Sequence, residues 1–197
     1  MKRQIKRSLK RTRYIFYQET LVDFKDHFWS FLGAFFGIGL IAFLQSQKFS
    51  ELENVFLIGS FGASSVLIYG AINSPLAQPR NLIGGHFLSS LVGVTVYKLC
   101  PEILWLNASL AVAFSIVVMQ ITKTMHPPGG ATALIAVLPS EKIQGLGYWY
   151  AVSPVLSGAV ILLVVALIFN NIPKGRTYPH HVRQSKYVHM RRMFKKN

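Results

Sequence analysis

"MHPPGGATALIAVLPSE", residues 125–141, is the stretch on which the fold turns. Two prolines and two glycines lead straight into Ala131–Pro139, which reads as the opening of a membrane helix and then stops well short of one. The question is what use a chain has for a half-length helix behind a rigid Pro-Pro and a pliable Gly-Gly.

The chain has 197 residues, 51% of them hydrophobic and 14% charged, too apolar and too sparsely charged for a soluble domain. Apolar runs lie at about 28–47, 55–72, 82–97, 104–122, 130–138 and 148–170. A bilayer core of about 30 Å needs about 20 helical residues, so the first, fourth and sixth runs span easily, the second and third nearly do, and the fifth falls short. Ionisable residues avoid these runs; His86 is the clear exception.

Of the 21 Lys and Arg residues, eight lie in residues 1–27 and eight in 171–197. Short flanks rich in Lys and Arg stay cytoplasmic, which puts both termini inside the plasma (inner) membrane and makes the number of crossings even. With six crossings Glu51, Glu53, Glu102 and Glu141 fall outside, and Arg80 and Lys123 inside. Four crossings, with 126–138 re-entrant, also satisfy the termini. The basic start imitates a secretory signal, but its run of about 20 residues is long and "LQSQKFS" offers no small-x-small cleavage site, so it reads as a retained first helix.

The net charge of +14 suits nucleic acid in principle. Because the basic tails flank membrane spans, anionic headgroups and topology account for them, and no nucleic-acid partner is expected. The tail histidines His180, His181 and His189 have no metal-ligand spacing, so no metal or other cofactor is expected. The one cysteine, Cys100, cannot form an internal disulfide.

Sliding the chain by 68 positions lays Gly62-Ala63 over Gly130-Ala131 and "FLSSLVGVTV" (87–96) over "VLSGAVILLV" (155–164), with seven identities between 62 and 99. Apolar composition supplies about half of these. If the halves correspond, each holds three spans, and an odd number forces opposite orientations. The expected fold is therefore an all-α membrane protein of six segments in 3+3 inverted repeats, with short or broken helices starting near the midplane. Repeat one covers about 28–99 and repeat two about 104–170, between basic segments 1–27 and 171–197.

In that fold the starts of helices 62–72 and 130–138 approach one another. Each leaves N–H groups without intrahelical partners and carries about half a positive charge, a resting place for a small anion. The expected binding residues are Ser60, Phe61, Gly62, Ala63 and Ser64 from the first half, with His126, Gly129, Gly130, Ala131 and Thr132 from the second. Pro127 and Pro128 bar helix before Gly129, the glycines admit backbone close to a ligand, and Ser64 and Thr132 each offer a hydroxyl. Arg80 and His86 are secondary candidates. The same "HPPGG" pattern also suits a turn that merely caps a short buried helix. Gly85, Ser89 and Gly93, four apart, form a small-residue packing seam, as do Gly33 and Gly37.

"MHPPGGATAL", with "GSFGASSVLIYGAINSPLAQPRNLIGGH", resembles the HPP family of integral membrane proteins, named for the His-Pro-Pro carried here by His126, Pro127 and Pro128. The resemblance covers roughly residues 25–170 and implies a permease for nitrite or a similar small anion. The family is commonly described with four spans, whereas the charge pattern and the repeat favour six. Some relatives carry regulatory domains such as CBS pairs, and none is expected within these 197 residues. A membrane enzyme using His126 would lack a carboxylate to orient that histidine and a nucleophile beside it, so no enzymatic activity is expected. A structural or assembly subunit is the remaining alternative. A chain this small is expected to form a homo-oligomer, with a dimer as the first guess.

Overall fold

The computed structural model describes residues 24–180. Most of the basic flanks, with His181 and His189, lie outside the described residues.

Every regular element among the described residues is helical. In chain order these are α1 (Phe24–Ser46), α2 (Glu51–Ser65, continued by a π turn Val66–Gly70), α3 (Pro79–Leu99), α4 (Leu104–Thr122), α5 (Pro128–Val137), the short α6 (Glu141–Gly145) and α7 (Ser157–Phe169, preceded by a π turn Ala151–Leu156). All six apolar runs of the sequence become helix. Four helices, Lys25–Ser46, Pro79–Leu99, Leu104–Thr122 and Ala151–Phe169, are long and apolar enough to cross a membrane; Leu57–Gly70 and Pro128–Val137 are shorter apolar helices. Length and composition thus support four spans rather than the six expected.

The boundaries have local causes. Pro79 opens α3 at a position that needs no N–H donor. Lys123, in the left-handed region (φ 57°, ψ 40°), closes α4: its N–H bonds to the Gln120 carbonyl, and the Thr124 N–H to that of Met119. Pro139 follows α5, and Ser140 caps α6 by accepting from the Ile143 N–H at 3.2 Å. The entry to α7 is kinked at Ser153, whose extended backbone (φ −137°, ψ 118°) precedes Pro154.

Two expected helix openings fall elsewhere. No helix begins at Gly62: α2 runs through Gly62, Ala63 and Ser64 without interruption. Gly59-Ser60-Phe61 contains no proline, so every N–H is available to the ladder, and one glycine costs a helix only about 1 kcal/mol. In the second half the helix begins at Pro128, earlier than Gly129, and Pro127 is itself helical (φ −50°, ψ −38°). A proline at the first helical position loses nothing, because that N–H would be orphaned anyway.

The helices pack in an exchange pattern. α1 lies on α2 and α7, α4 lies on α5 and α3, and α2, α3 and α5 meet at the centre. The α3–α5 contact is the most intimate and uses the small-residue seam. A Cβ on Gly93 would stand 2.9 Å from Ala133 Cα, and one on Gly85 would run into His126 Cβ. Gly33 and Gly37 of α1 similarly admit the Tyr69 ring. The faces turned away from these contacts are apolar: Phe31, Phe35 and Phe43 on α1 and Trp105 and Ile121 on α4 are all exposed. Lipid is the solvent that suits them.

Candidate functional site

At the meeting of α2, α3 and α5 lies a group of polar side chains. α2 presents Ser60 and Ser64, one turn apart on one face. α3 presents His86, and the turn into α5 presents His126 and, one and a half turns on, Thr132. All five are at most 4% exposed. The turn is strapped to α3 by Asn81, whose amide donates to the Met125 carbonyl at 2.6 Å. Phe61 covers the His86 ring from α2, centroids 5.2 Å apart, and the two imidazoles stand 5.0 Å apart.

The hydrogen bonds form one chain whose direction follows from its end. His126 Nδ1 lies 2.8 Å from the Leu76 carbonyl, which can only accept, so Nδ1 carries the hydrogen. In a neutral ring Nε2 then accepts, from Ser64 Oγ at 3.0 Å. Ser64 has only one hydrogen to give, so at its 2.7 Å contact with His86 Nε2 the imidazole donates. His86 Nδ1 therefore accepts from Thr132 Oγ1 at 2.7 Å, and Thr132 Oγ1 accepts from Ser60 Oγ at 2.7 Å. Each of the five groups is used and each hydrogen has one short acceptor. The longer alternatives are the Ser60 carbonyl for Ser64 at 3.2 Å and the Pro128 carbonyl for Ser60 and Thr132, both at 3.4 Å. Tyr150 adds a support from the α7 side by donating to the Thr132 carbonyl at 3.0 Å. Five buried polar groups in apolar surroundings are costly unless paired, and pairing them all removes that cost.

A family model described as "HPP, transmembrane region" matches residues 19–179. The chain belongs to the HPP family. Two transmembrane proteins of Dictyostelium discoideum are 45% and 44% identical to this HPP chain over 163 residues. Each match covers 80% of this chain and 51% or 56% of the relative, so the chain spans about half the length of these curated relatives. No solved structure matches it.

The name-giving motif of this HPP protein is thus the turn that carries the end of the hydrogen-bond chain. Of the residues expected to bind an anion, Ser60, Ser64, His126 and Thr132 come together, with Phe61 against them. Gly62 is only partly buried and Ala63 is exposed; both face away from the cluster because they sit on the opposite side of the unbroken α2. Gly129 is buried against Gly85 and serves helix packing, whereas Gly130 is buried with room for a Cβ, its nearest neighbour there being Val112 at 3.9 Å. Ala131 is partly buried and makes no polar contact through its side chain.

The unpaired amides expected at the helix start are also absent. Pro127 and Pro128 have no N–H, and the next two are already bonded, Gly129 to the His126 carbonyl at 2.8 Å and Gly130 to the Pro127 carbonyl at 3.0 Å. The site is therefore one of side chains. Arg80 is not part of it: exposed, it donates to the Thr122 carbonyl at 2.7 Å and caps the end of α4. His86, a secondary candidate from sequence, lies at its centre. Tyr150 and the Leu76 carbonyl were missed. Neither has a sequence signal, since they reach the cluster from 18 and 50 residues away.

A second polar node lies after α7. Arg176 donates to the Tyr69 carbonyl and to Asn170 Oδ1, both at 2.8 Å, and to the Asp26 carbonyl at 3.0 Å, with the Asp26 carboxylate at 3.6 Å. Asn170 donates to the Ile68 carbonyl at 2.8 Å. Together they satisfy the last carbonyls of the π turn that ends α2, where a cation meets the negative end of the helix. Burial lowers the Arg176 pKa from its usual value, and the neighbouring Asp26 offsets only part of that lowering.

Proposed function

We propose that this protein is a permease for a small inorganic anion, nitrite being the substrate that the family resemblance suggests, and that the anion passes through the Ser60–Thr132–His86–Ser64–His126 cluster. The observation that carries this reading is a closed chain of five buried hydroxyl and imidazole groups in otherwise apolar helices. Polar and ionisable groups at such places are costly and mark solute paths by default. Their chemistry favours an anion: hydroxyl and imidazole N–H groups donate hydrogen bonds, and none of the five is a carboxylate. Hydroxyls hold an ion that must leave again more loosely than a buried arginine would.

The exchange packing, with α1 across α2 and α7 as α4 lies across α5 and α3, supports an inverted pair of three-helix halves. In that reading the short α2 and α5 end within the membrane and the polar cluster sits where the halves meet. The charge pattern supports both termini in the cytoplasm.

The test is nitrite uptake into vesicles containing the purified protein. Ser64→Ala and Thr132→Val should each reduce uptake at least tenfold while the proteins still elute as folded particles. Unchanged uptake in both would remove the cluster from the path.

A further inference from the structure

We infer that the anion enters this cluster together with one proton, which is taken up by the His86–His126 pair, so that transport is electroneutral anion–proton symport. The inference rests on the permease reading above and deepens it.

The argument is a count of hydrogens. With both rings neutral, the chain from Ser60 to Leu76 uses every hydrogen it has, and no donor is left for an arriving anion. A proton added to His126 Nε2 turns that atom from acceptor to donor. It then donates to Ser64 Oγ, which already receives the His86 N–H, and the Ser64 hydrogen is released. A proton added to His86 Nδ1 has the same effect one step along: Nδ1 donates to Thr132, whose hydrogen is released. Each added proton frees one hydroxyl donor and supplies one positive charge.

The freed hydrogens have poor alternatives within the protein, the Ser60 and Pro128 carbonyls at 3.2 Å and 3.4 Å. An anion is the stronger acceptor, and bonds to a charged acceptor are roughly twice as strong as neutral ones. An anion alone would be an unpaired charge in a buried site, and a proton alone would be another; together they cost far less. With the rings 5.0 Å apart, one positive charge opposes a second, which fixes the ratio at one proton per anion.

A further hydroxyl is already waiting. Ser89, one turn after His86 on α3, is fully buried, and its Oγ has no hydrogen-bond partner among the described residues. It lies at the Gly85–Gly129 contact, 2.9 Å from where a Gly129 Cβ would be.

Among the described residues no other titratable side chain is hydrogen-bonded to either ring. α4, α5 and the α7 segment from Ala151 to Phe169 contain none. On α2, Glu51 and Glu53 belong to the first turn, about two turns before Ser60, and Tyr69 donates to the Leu162 carbonyl. On α3, Arg80 reaches the Thr122 carbonyl and Lys98 lies in the last turn, over the Tyr148 ring. The Tyr150 hydroxyl donates to the Thr132 carbonyl and reaches neither ring. No covalent bond to the anion forms or breaks: the proton comes from water on one side and returns to water on the other.

The experiment separates the two driving forces, using nitrite and subtracting the flux of protein-free vesicles, through which nitrous acid leaks. Vesicles with a pH gradient, acid outside, and the potential clamped at zero should accumulate nitrite about tenfold per pH unit. A potassium diffusion potential at equal pH should drive no accumulation. The double variant His86→Gln with His126→Gln, which leaves neither ring to take the proton, should lose the response to the pH gradient. Uptake that follows the potential, ignores the pH gradient and is still lost in Ser64→Ala would overturn proton coupling and leave the permease reading standing. No flux above the protein-free level with either force would overturn the permease reading, and symport with it.

Discussion

Gly129→Ala and Gly130→Ala differ by one position in the first turn of α5 and are expected to act in opposite directions. A Cβ on Gly129 would lie 2.8 Å from the Gly85 carbonyl oxygen, 2.9 Å from Ser89 Oγ and 3.0 Å from the Gly85 carbonyl carbon. Carbon contacts prefer about 3.5–4.0 Å, so α5 and α3 would have to part by several tenths of an ångström at a seam where backbone faces backbone. The Ser89 hydroxyl can swing aside but the Gly85 backbone cannot, and overpacking of this kind costs about 1–3 kcal/mol. On Gly130 the nearest atom to an added Cβ is Val112 Cγ1 at 3.9 Å, an ordinary contact. There the methyl group should gain about 0.5–1 kcal/mol from the lower entropy of the unfolded chain. The two variants should therefore differ by about 1.5–4 kcal/mol, which for a chain of this size is on the order of 3–16 °C in unfolding temperature. Thermal unfolding of the purified proteins in one detergent measures it. Gly129→Ala melting at or above Gly130→Ala would refute the close α3–α5 approach, and with it the placement of His126 beside His86.

Ser64→Ala should also lower stability, since it strands the His86 Nε2 hydrogen and the His126 Nε2 lone pair. Membrane hydrogen bonds between helices average well below the 1–3 kcal/mol of a buried unpaired group in a soluble core, so a loss of about 1–2 kcal/mol is expected by thermal unfolding, and Ser64→Thr should recover part of it. Asn81→Leu removes the bond to the Met125 carbonyl, and nitrite flux should fall several-fold although Asn81 is outside the cluster; unchanged flux would mean that the turn holds itself. Arg176→Ala removes one of the two donors to the Tyr69 carbonyl, which keeps Ser30, together with the bonds to Asn170 Oδ1 and the Asp26 carbonyl. Amide hydrogen exchange of residues 66–73 should accelerate more than that of α3 or α5, and a uniform change would count against a local clasp at the end of α2.

What the chain discloses about itself divides along a physical line. Apolar runs and their punctuation are local properties, so the six helical segments, the proline that opens α3 and the stop at Pro139 are all readable. The rotation of one helix against another is not local. Gly62-Ala63 and Gly130-Ala131 look alike as letters, yet one pair lies inside a helix with its face outward and the other follows two prolines at a helix start. The difference lies in the residues before each pair: Ser60-Phe61 keeps every N–H, and Pro127-Pro128 has none. The same fact takes the unpaired amides out of the expected site, because prolines that start a helix also delete N–H groups an anion would use. His86 was the opposite case. A lone ionisable side chain in an apolar helix was a visible signal, but its weight depended on partners 22 and 46 residues away, and on the missing side chains of Gly85 and Gly129 that let α3 and α5 approach. Gly85 and Gly129 make room for each other's backbone, and that approach is what brings the two imidazoles to 5.0 Å from one another.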